Sequence, residues 1–439
     1  MTGEGVRPAV RPPAGAVGLL RDRRFLPLFA TQLLGAFNDN LFKGAIVILA
    51  VYRAGGESGA VMAMLAGGLF ILPFLLFSAL AGELADRLPK PLLIRRVKFL
   101  EILVMLLGAV ALVTVHLPAL LFVLFLMGAQ STLFGPLKYG ILPELLEEDE
   151  LLPANGLVEA STFLAILLGT MGGTILVALP GGERLTAVAV LTIALLGWLA
   201  SLGVPRRPAA APELRRRFNP WPASREALAR ARGRPSIWRT ILGISWFWAV
   251  GGIYLAQLPA YAAGELGAEE SVATLLLGMF VLGIGLGSLL ARPAAGGHVS
   301  LRPVPWAMAA LALFSLDLVA AAATLEGGTA GVDLTAFLAL PGSWRLLADL
   351  GLLATAGGVF VVPLYAWLQA RSDPAWKARV IAANNIVNAL FLVLSAALAA
   401  LLLALGLSVI GLLTLTGIGN LLVALLLFRR ARAGGLERE

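Results

Sequence analysis

The chain of 439 residues contains no cysteine and only two histidines, and just 14% of its residues are charged. Without cysteine it has no disulfide framework and no thiolate chemistry, and two histidines leave little for metal ligation or histidine-based catalysis. Soluble domains carry about 25% charged residues, whereas 59% of this chain is hydrophobic. The composition therefore excludes a soluble or metal-dependent enzyme and predicts an all-α protein that crosses a membrane many times.

Apolar runs separated by charged or Pro/Gly breaks predict twelve membrane-spanning helices. Their approximate bounds are 26–52, 60–85, 92–114, 118–142, 156–180, 185–204, 238–262, 271–292, 303–324, 345–369, 379–404 and 406–428. The longest polar segment lies between the sixth and seventh spans, so the chain divides six plus six. We therefore expect an N-terminal segment, a six-helix bundle, a basic linker, a second six-helix bundle and a tail, at residues 1–25, 26–204, 205–237, 238–430 and 431–439.

The basic residues predict the orientation of these helices. Of the 34 lysines and arginines, 29 lie in or beside the N-terminal segment, the 2–3, 8–9 and 10–11 loops, the linker and the tail. The loops on the other side carry only Arg53, Arg184 and Arg345. Because basic loops stay in the cytoplasm, both termini and the linker are expected there. The net charge of +8 is thus interpreted as membrane topology, and we expect no nucleic-acid partner.

The 2–3 loop, residues 82–90 (GELADRLPK), resembles the loop signature Gly-x-Leu-Ala-Asp-Arg-x-Gly-Arg/Lys of the major facilitator superfamily, with Pro89 where glycine is usual. Two six-helix halves joined by a cytoplasmic linker are also the architecture of that superfamily. Gly82 would permit close helix approach. Asp86 and Arg87 suit a charge latch between the halves, which is favourable if Asp86 faces a helix N-terminus. An ordinary solvated turn is the alternative.

The first span carries a polar cluster, Asn38, Asp39, Asn40 and Lys43, near its middle. On insertion scales, an Asp or Lys at that depth costs about 2.5–3.5 kcal/mol of free energy. The cluster therefore predicts a transport path rather than a lipid-facing wall. Two partners for Asp39 remain open. Lys43 lies four residues along the same helix, which would make the pair a packing element. Lys138 on the fourth span would instead face Asp39 across a cavity.

Other polar residues on the spans are further candidates for the path, each with a structural alternative. Lys138 is expected either to bind a lipid phosphate or to extend its ammonium to the membrane interface as a snorkelling lysine. Glu159 on the fifth span contacts substrate or makes an interfacial hydrogen bond. The seventh and eleventh spans offer polar groups that contact substrate or bond between helices: Tyr254, Gln257, Asn384 and Asn388.

Five stretches together resemble the lysophospholipid transporter family of the major facilitator superfamily: 25–43, 134–145, 154–169, 243–261 and 357–390. The resemblance is greatest to the membrane module that some bacteria fuse to acyltransferase and acyl-carrier-protein synthetase domains. It implies a flippase of the bacterial inner membrane that moves lysophosphatidylethanolamine and related lysolipids from the outer to the cytoplasmic leaflet by alternating access. In that family a helix 1 Asp and a helix 4 Lys belong to a polar cluster, and Asp39 and Lys138 match them. Leu255 stands where some members have an Arg.

The resemblance also implies a cytoplasmic-face acyltransferase or acyl-carrier-protein synthetase as a partner. The chain is not expected to be that enzyme, because neither His116 nor His298 is followed four residues later by Asp. We expect a monomer without a cofactor, and coupling to Na⁺ or H⁺ remains open. Two alternative functions also remain: a facilitator-type exporter of drugs or other small solutes, and a non-transporting membrane scaffold for an acyltransferase.

Overall fold

The computed structural model describes residues 15–54, 56–214, 219–325 and 331–437, and within these it does not describe the side chains of 50–65. Most of the predicted N-terminal segment, residues 1–14, therefore lies outside the described residues. So do residues 215–218 of the predicted linker.

Twelve long helices in the described part of the chain confirm the predicted all-α fold, with ends that differ from the predicted spans by only a few residues. We number them α1 to α12: Leu26–Ala54, Gly56–Arg87, Lys90–Val113, Leu117–Leu145, Leu151–Ala178, Gly182–Leu202, Pro235–Gly264, Glu270–Ala294, Pro303–Ala323, Ser343–Arg371, Lys377–Ala404 and Val409–Arg432. The linker contains a further helix, Pro220–Arg232, which we call the linker helix. The sequence alone predicts only a polar connection for this segment.

In the described part of the chain, 10 helices are long and apolar enough to cross a membrane. The two long helices outside that group are α1 and α3. Both carry charges in their interiors, Asp39 and Lys43 on α1 and Lys98 and Glu101 on α3. The two long helices outside the group of 10 are thus ones that carry charged residues in their interiors.

The two bundles repeat one packing pattern. In each bundle the first helix packs on the fifth, the second on the fourth and the third on the sixth. Glycines make the closest of these approaches possible. A Cβ on Gly173 of α5 would overlap the backbone of Leu41 on α1, and a Cβ on Gly287 of α8 would overlap the backbone of Thr355 on α10. Small residues at helix crossings are the usual means of packing helices in a membrane.

The bundles meet mainly where α2 packs on α11 and α5 packs on α8. We call the end of the molecule at which α7 begins the linker side. The hydrogen bonds, ion pairs and ring contacts described between the bundles all lie in the linker-side half of the helices. Asn155 of α5 and Gln369 of α10, for example, exchange two hydrogen bonds of 2.7 and 2.9 Å between their amides. The structure is therefore closed on the linker side.

A latch centred on Asp86 holds this closure. Its buried carboxylate accepts hydrogen bonds from the backbone N–H of Ala378, at 3.0 Å, and from the Nε of Arg379, at 2.9 Å. Both donors belong to the first turn of α11, so Asp86 faces a helix N-terminus, where negative charge is favoured. Gly82 lies one turn earlier, and a Cβ there would come within 2.7 Å of the Cβ of Ala382.

Arg87 takes no part in these contacts, although the sequence analysis grouped it with Asp86. Among the described residues it has neither an ion pair nor a hydrogen bond, and it is half-buried. The cation of the latch comes instead from Arg379 in the other bundle. The loop signature alone does not reveal this partner, because it lies 293 residues further along the chain.

The linker helix adds a second contact to the latch. The guanidinium carbons of Arg230 and Arg379 lie 3.1 and 3.3 Å from the centroid of the Trp376 ring. At these distances the two cations must occupy opposite faces of the indole, an arrangement that cation–π attraction favours. The linker helix is thereby joined to the residue that pairs with Asp86.

We predict that Asp86→Asn opens the linker side. Removing one member of a buried ion pair costs about 3–5 kcal/mol, and here that cost falls on the closed state alone. The native chain has no cysteine, so spin labels can be placed at Leu92→Cys and His298→Cys, near the linker-side ends of the two bundles. Electron–electron resonance should then show a new population at longer distance. The adjacent substitution Arg87→Gln should leave the distances unchanged, and an equal response to both would contradict the assignment.

Candidate functional site

A cavity of about 290 Å³ lies between the bundles, on the far side of the linker-side closure. One part of its wall is apolar and aromatic, with Phe70, Ile71, Phe74, Phe134, Ile166, Trp248, Ala389 and Leu392. The other part carries polar and charged groups, with Gln32, Asp39, Asn40, Lys43, Lys98, Glu101, Gln130, Ser131, Lys138, Tyr139, Thr162, Tyr365, Asn385 and Asn388. Every charged residue of this wall belongs to the N-terminal bundle.

Among the charged residues of the cavity wall, Lys98 and Glu101 of α3 have partners. They are 1% and 2% exposed and make an ion pair with each other. The Glu101 carboxylate also accepts hydrogen bonds from the amides of Asn38, at 3.2 Å, and Gln130, at 3.0 Å. Gly35 leaves room for this pair, since a Cβ there would lie 2.7 Å from the Lys98 ammonium. Such a fully bonded pair positions α1, α3 and α4 relative to one another.

Asp39 differs, because its carboxylate has no cation in contact. Ser131 donates a hydrogen bond of 2.6 Å to one oxygen, and the other oxygen has no hydrogen-bond partner among the described residues. Neither Lys43 nor Lys138 lies within 4.0 Å of it. The two pairings that the sequence left open are thus both absent from the described structure. The Lys43 ammonium extends instead over the ring of Phe70, 5.5 Å from its centroid.

Lys138 and Tyr139 form the floor of the cavity on the linker side, and Glu159 lies behind Tyr139, outside the lining. The Lys138 ammonium lies over the Tyr139 ring, 4.4 Å from its centroid, and lines the cavity. Tyr139 donates a hydrogen bond of 2.5 Å to Glu159, whose other oxygen has no described hydrogen-bond partner. Across the bundle interface Tyr139 stacks on Tyr365, with centroids 4.5 Å apart and planes 6° apart. Trp248 donates a 2.9 Å hydrogen bond to the Tyr365 hydroxyl.

The remaining predicted residues divide into two groups. Asn40 and Asn388 line the cavity, and Asn388 also accepts a 2.6 Å hydrogen bond from Ser245. By contrast, Tyr254, Gln257 and Asn384 are not among the lining residues. Tyr254, for instance, is fully buried and stacks on Phe280 in the C-terminal bundle, with centroids 5.6 Å apart.

Several lining residues were missed or assigned another role by sequence reasoning. Lys98 and Glu101 were not among the candidates for the path, yet they line the same cavity as Asp39. Their spacing of three residues, which places a cation and a carboxylate on one helix face, was the available signal. Ser131 and Tyr365 carry no comparable signal, because their partners come from distant helices.

The fold and the family model define the class of protein. A model of the Major Facilitator Superfamily matches residues 28–389. The structure resembles a bacterial homologue of the iron transporter ferroportin in its outward-facing state, with a TM-score of 0.70, 16% identity and coverage of 93% of this chain and 99% of that one. It also resembles the human organic anion transporter MFSD10, with a TM-score of 0.68, 17% identity and coverage of 92% and 99%. The chain is therefore a multi-pass membrane transporter of the major facilitator superfamily and not an enzyme.

Sequence relatives place the chain more narrowly. It is 33% identical over 372 residues to the lysophospholipid transporter LplT of Klebsiella pneumoniae subsp. pneumoniae, an alignment that covers 84% of this chain and 85% of the relative. It is 30% identical over 400 residues to LplT of Enterobacter sp., covering 89% and 92%. The chain belongs to the lysophospholipid transporter family.

We predict that substitutions distinguish the paired charge of Glu101 from the unpaired charge of Asp39 by their effects on stability and transport. Glu101→Gln should lower the thermal unfolding temperature by several degrees, because it leaves the buried Lys98 ammonium without its counter-charge, a change that costs about 3–5 kcal/mol. Asp39→Asn should change that temperature less, since among the described residues no cation lies within 4.0 Å of Asp39, yet it should reduce transport. Thermal unfolding and lysolipid transport measured on the same detergent and liposome samples test both. Equal losses of stability would contradict the distinction.

Proposed function

We propose that the protein moves lysophosphatidylethanolamine and related lysolipids from the outer to the cytoplasmic leaflet of a bacterial inner membrane, by alternating access. The observation that supports this most is the unpaired charge in an otherwise largely apolar cavity. Lys43 and Lys138 form no ion pair among the described residues, and Asp39 keeps a free carboxylate oxygen. Polar and ionisable groups inside a membrane protein commonly mark the path of a substrate.

The chemistry of a lysolipid matches this arrangement. Its phosphate can accept hydrogen bonds from the ammonium groups of Lys43 and Lys138, since charge-assisted bonds are the stronger ones. The primary ammonium of ethanolamine can donate to the free oxygen of Asp39. The single acyl chain can lie against Phe70, Phe74 and other apolar side chains of the wall. One ligand would then satisfy both the charged and the apolar parts of the cavity.

The direction of movement follows from the expected topology. With the termini and the basic linker in the cytoplasm, closure on the linker side leaves the cavity to receive lipid from the outer leaflet. Rocking of the two bundles would break the Asp86 latch and release the lipid on the cytoplasmic side. A cytoplasmic-face acyltransferase could re-acylate it there. We expect the transporter to act as a monomer, because the cavity is formed within one chain.

We predict that purified protein in liposomes moves labelled lysophosphatidylethanolamine faster than protein-free vesicles. Asp39→Asn and Lys138→Gln should each slow this movement about tenfold or more, which corresponds to about 1.4 kcal/mol. The matched control is Asp333→Asn, which lies between α9 and α10, outside the cavity lining. This substitution should leave the rate of lipid movement unchanged. Efflux of small solutes without any lipid movement would favour the exporter alternative instead.

Head-group selectivity offers a second prediction. Lysophosphatidylcholine carries a quaternary ammonium that has no N–H to donate to Asp39. It should therefore be moved more slowly than lysophosphatidylethanolamine by the unmodified protein, and Asp39→Asn should narrow the difference. Competition between the two lysolipids in the same liposome assay measures it. A preference that is unchanged in Asp39→Asn would exclude Asp39 from head-group recognition.

A further inference from the structure

We propose that Glu159 is the positioning residue that couples capture of the lipid phosphate by Lys138 to opening of the cavity floor. This inference rests on the proposed function, and it assigns a role to a group that no substrate atom needs to touch. Glu159 is fully buried and is not among the residues that line the cavity. Among the described residues, its one hydrogen bond to the cavity wall is the 2.5 Å bond that Tyr139 donates.

Two charges and two rings are linked at this point. The Lys138 ammonium lies over the ring of Tyr139, and the hydroxyl of the same tyrosine donates to the Glu159 carboxylate. The ammonium and the carboxylate thus both contact Tyr139, although they do not approach each other within 4.0 Å. That ring is stacked on Tyr365, so Lys138 supports both the carboxylate and one side of the contact that joins the two bundles.

A phosphate in the cavity would compete for the same ammonium. Turning Lys138 towards the phosphate removes the cation that compensates Glu159 and withdraws a cation–π contact from Tyr139. The buried carboxylate then keeps a single donor, the Tyr139 hydroxyl, and a buried charge without a counter-charge is costly. That cost falls on the closed floor, so binding of the lipid favours separation of Tyr139 from Tyr365. A ligand shifts a conformational equilibrium only through such differential contacts.

Glu159→Gln tests this coupling. The glutamine oxygen can still accept the Tyr139 hydrogen bond. Because the side chain is neutral, it does not attract the Lys138 ammonium, and no charge is left uncompensated when the ammonium turns towards the phosphate. We expect the KM for lysophosphatidylethanolamine to fall by about fivefold or more, the lower end of usual coupling free energies, while the maximal rate also falls. A purely structural role would lower the rate without improving affinity. The control is Tyr261→Phe, at a buried tyrosine on α7 outside the cavity lining. It should change neither the KM nor the maximal rate.

Labelling of a cysteine in the cavity gives an independent measure of whether the floor is open. A single cysteine at Ile166→Cys, in the cavity wall, can be labelled with an impermeant maleimide from the linker side only when the floor opens. Adding lysophosphatidylethanolamine should raise this labelling in the parent background and leave it unchanged with Glu159→Gln. Equal stimulation in both, or an unchanged KM, would overturn the coupling. Absence of lipid movement by the parent protein would instead refute the proposed function itself.

Discussion

The structure depends on one constraint: a charge placed among membrane-spanning helices needs a partner. Lys98 and Glu101 meet it by pairing with each other, and Asn38 and Gln130 complete their hydrogen bonds. Asp86 meets it through Arg379 and the first turn of α11. Each of these satisfied groups holds helices together, the first within one bundle and the second between the two bundles.

The same constraint makes the remaining charges informative. Asp39, Lys43 and Lys138 line the cavity without forming ion pairs among the described residues. The free-energy cost of burying these unpaired charges is offset if a substrate supplies the missing partners during each transport cycle. A zwitterionic head group carries both signs of charge at a spacing that a cavity of about 290 Å³ can enclose. The apolar wall beside these charges suits a lipid tail better than it suits a hydrophilic solute.

The sequence was sufficient for the helices and the family but not for the pairing of the charges. Apolar length and the break at the linker predict all twelve helices, because burial in lipid demands long apolar runs. The depth of Asp39 in its span also identifies the candidate site. The partner of Asp86 could not be predicted, because Arg379 lies in the other bundle. Arg87, which the sequence predicts as part of the same latch, forms no ion pair among the described residues. Likewise, Ser131 reaches Asp39 only through the packing of α4 on α1, which no local pattern encodes.

The central claim is that the unpaired charges of the cavity bind the lipid head group. The most direct measurement is a cryo-EM structure of the protein in lipid nanodiscs with lysophosphatidylethanolamine bound. The account predicts the phosphate within hydrogen-bonding distance of the Lys43 or Lys138 ammonium, at about 2.7–2.9 Å, and the ethanolamine nitrogen beside Asp39. A head group bound elsewhere, with these three side chains unchanged and no lipid density in the cavity, would contradict it.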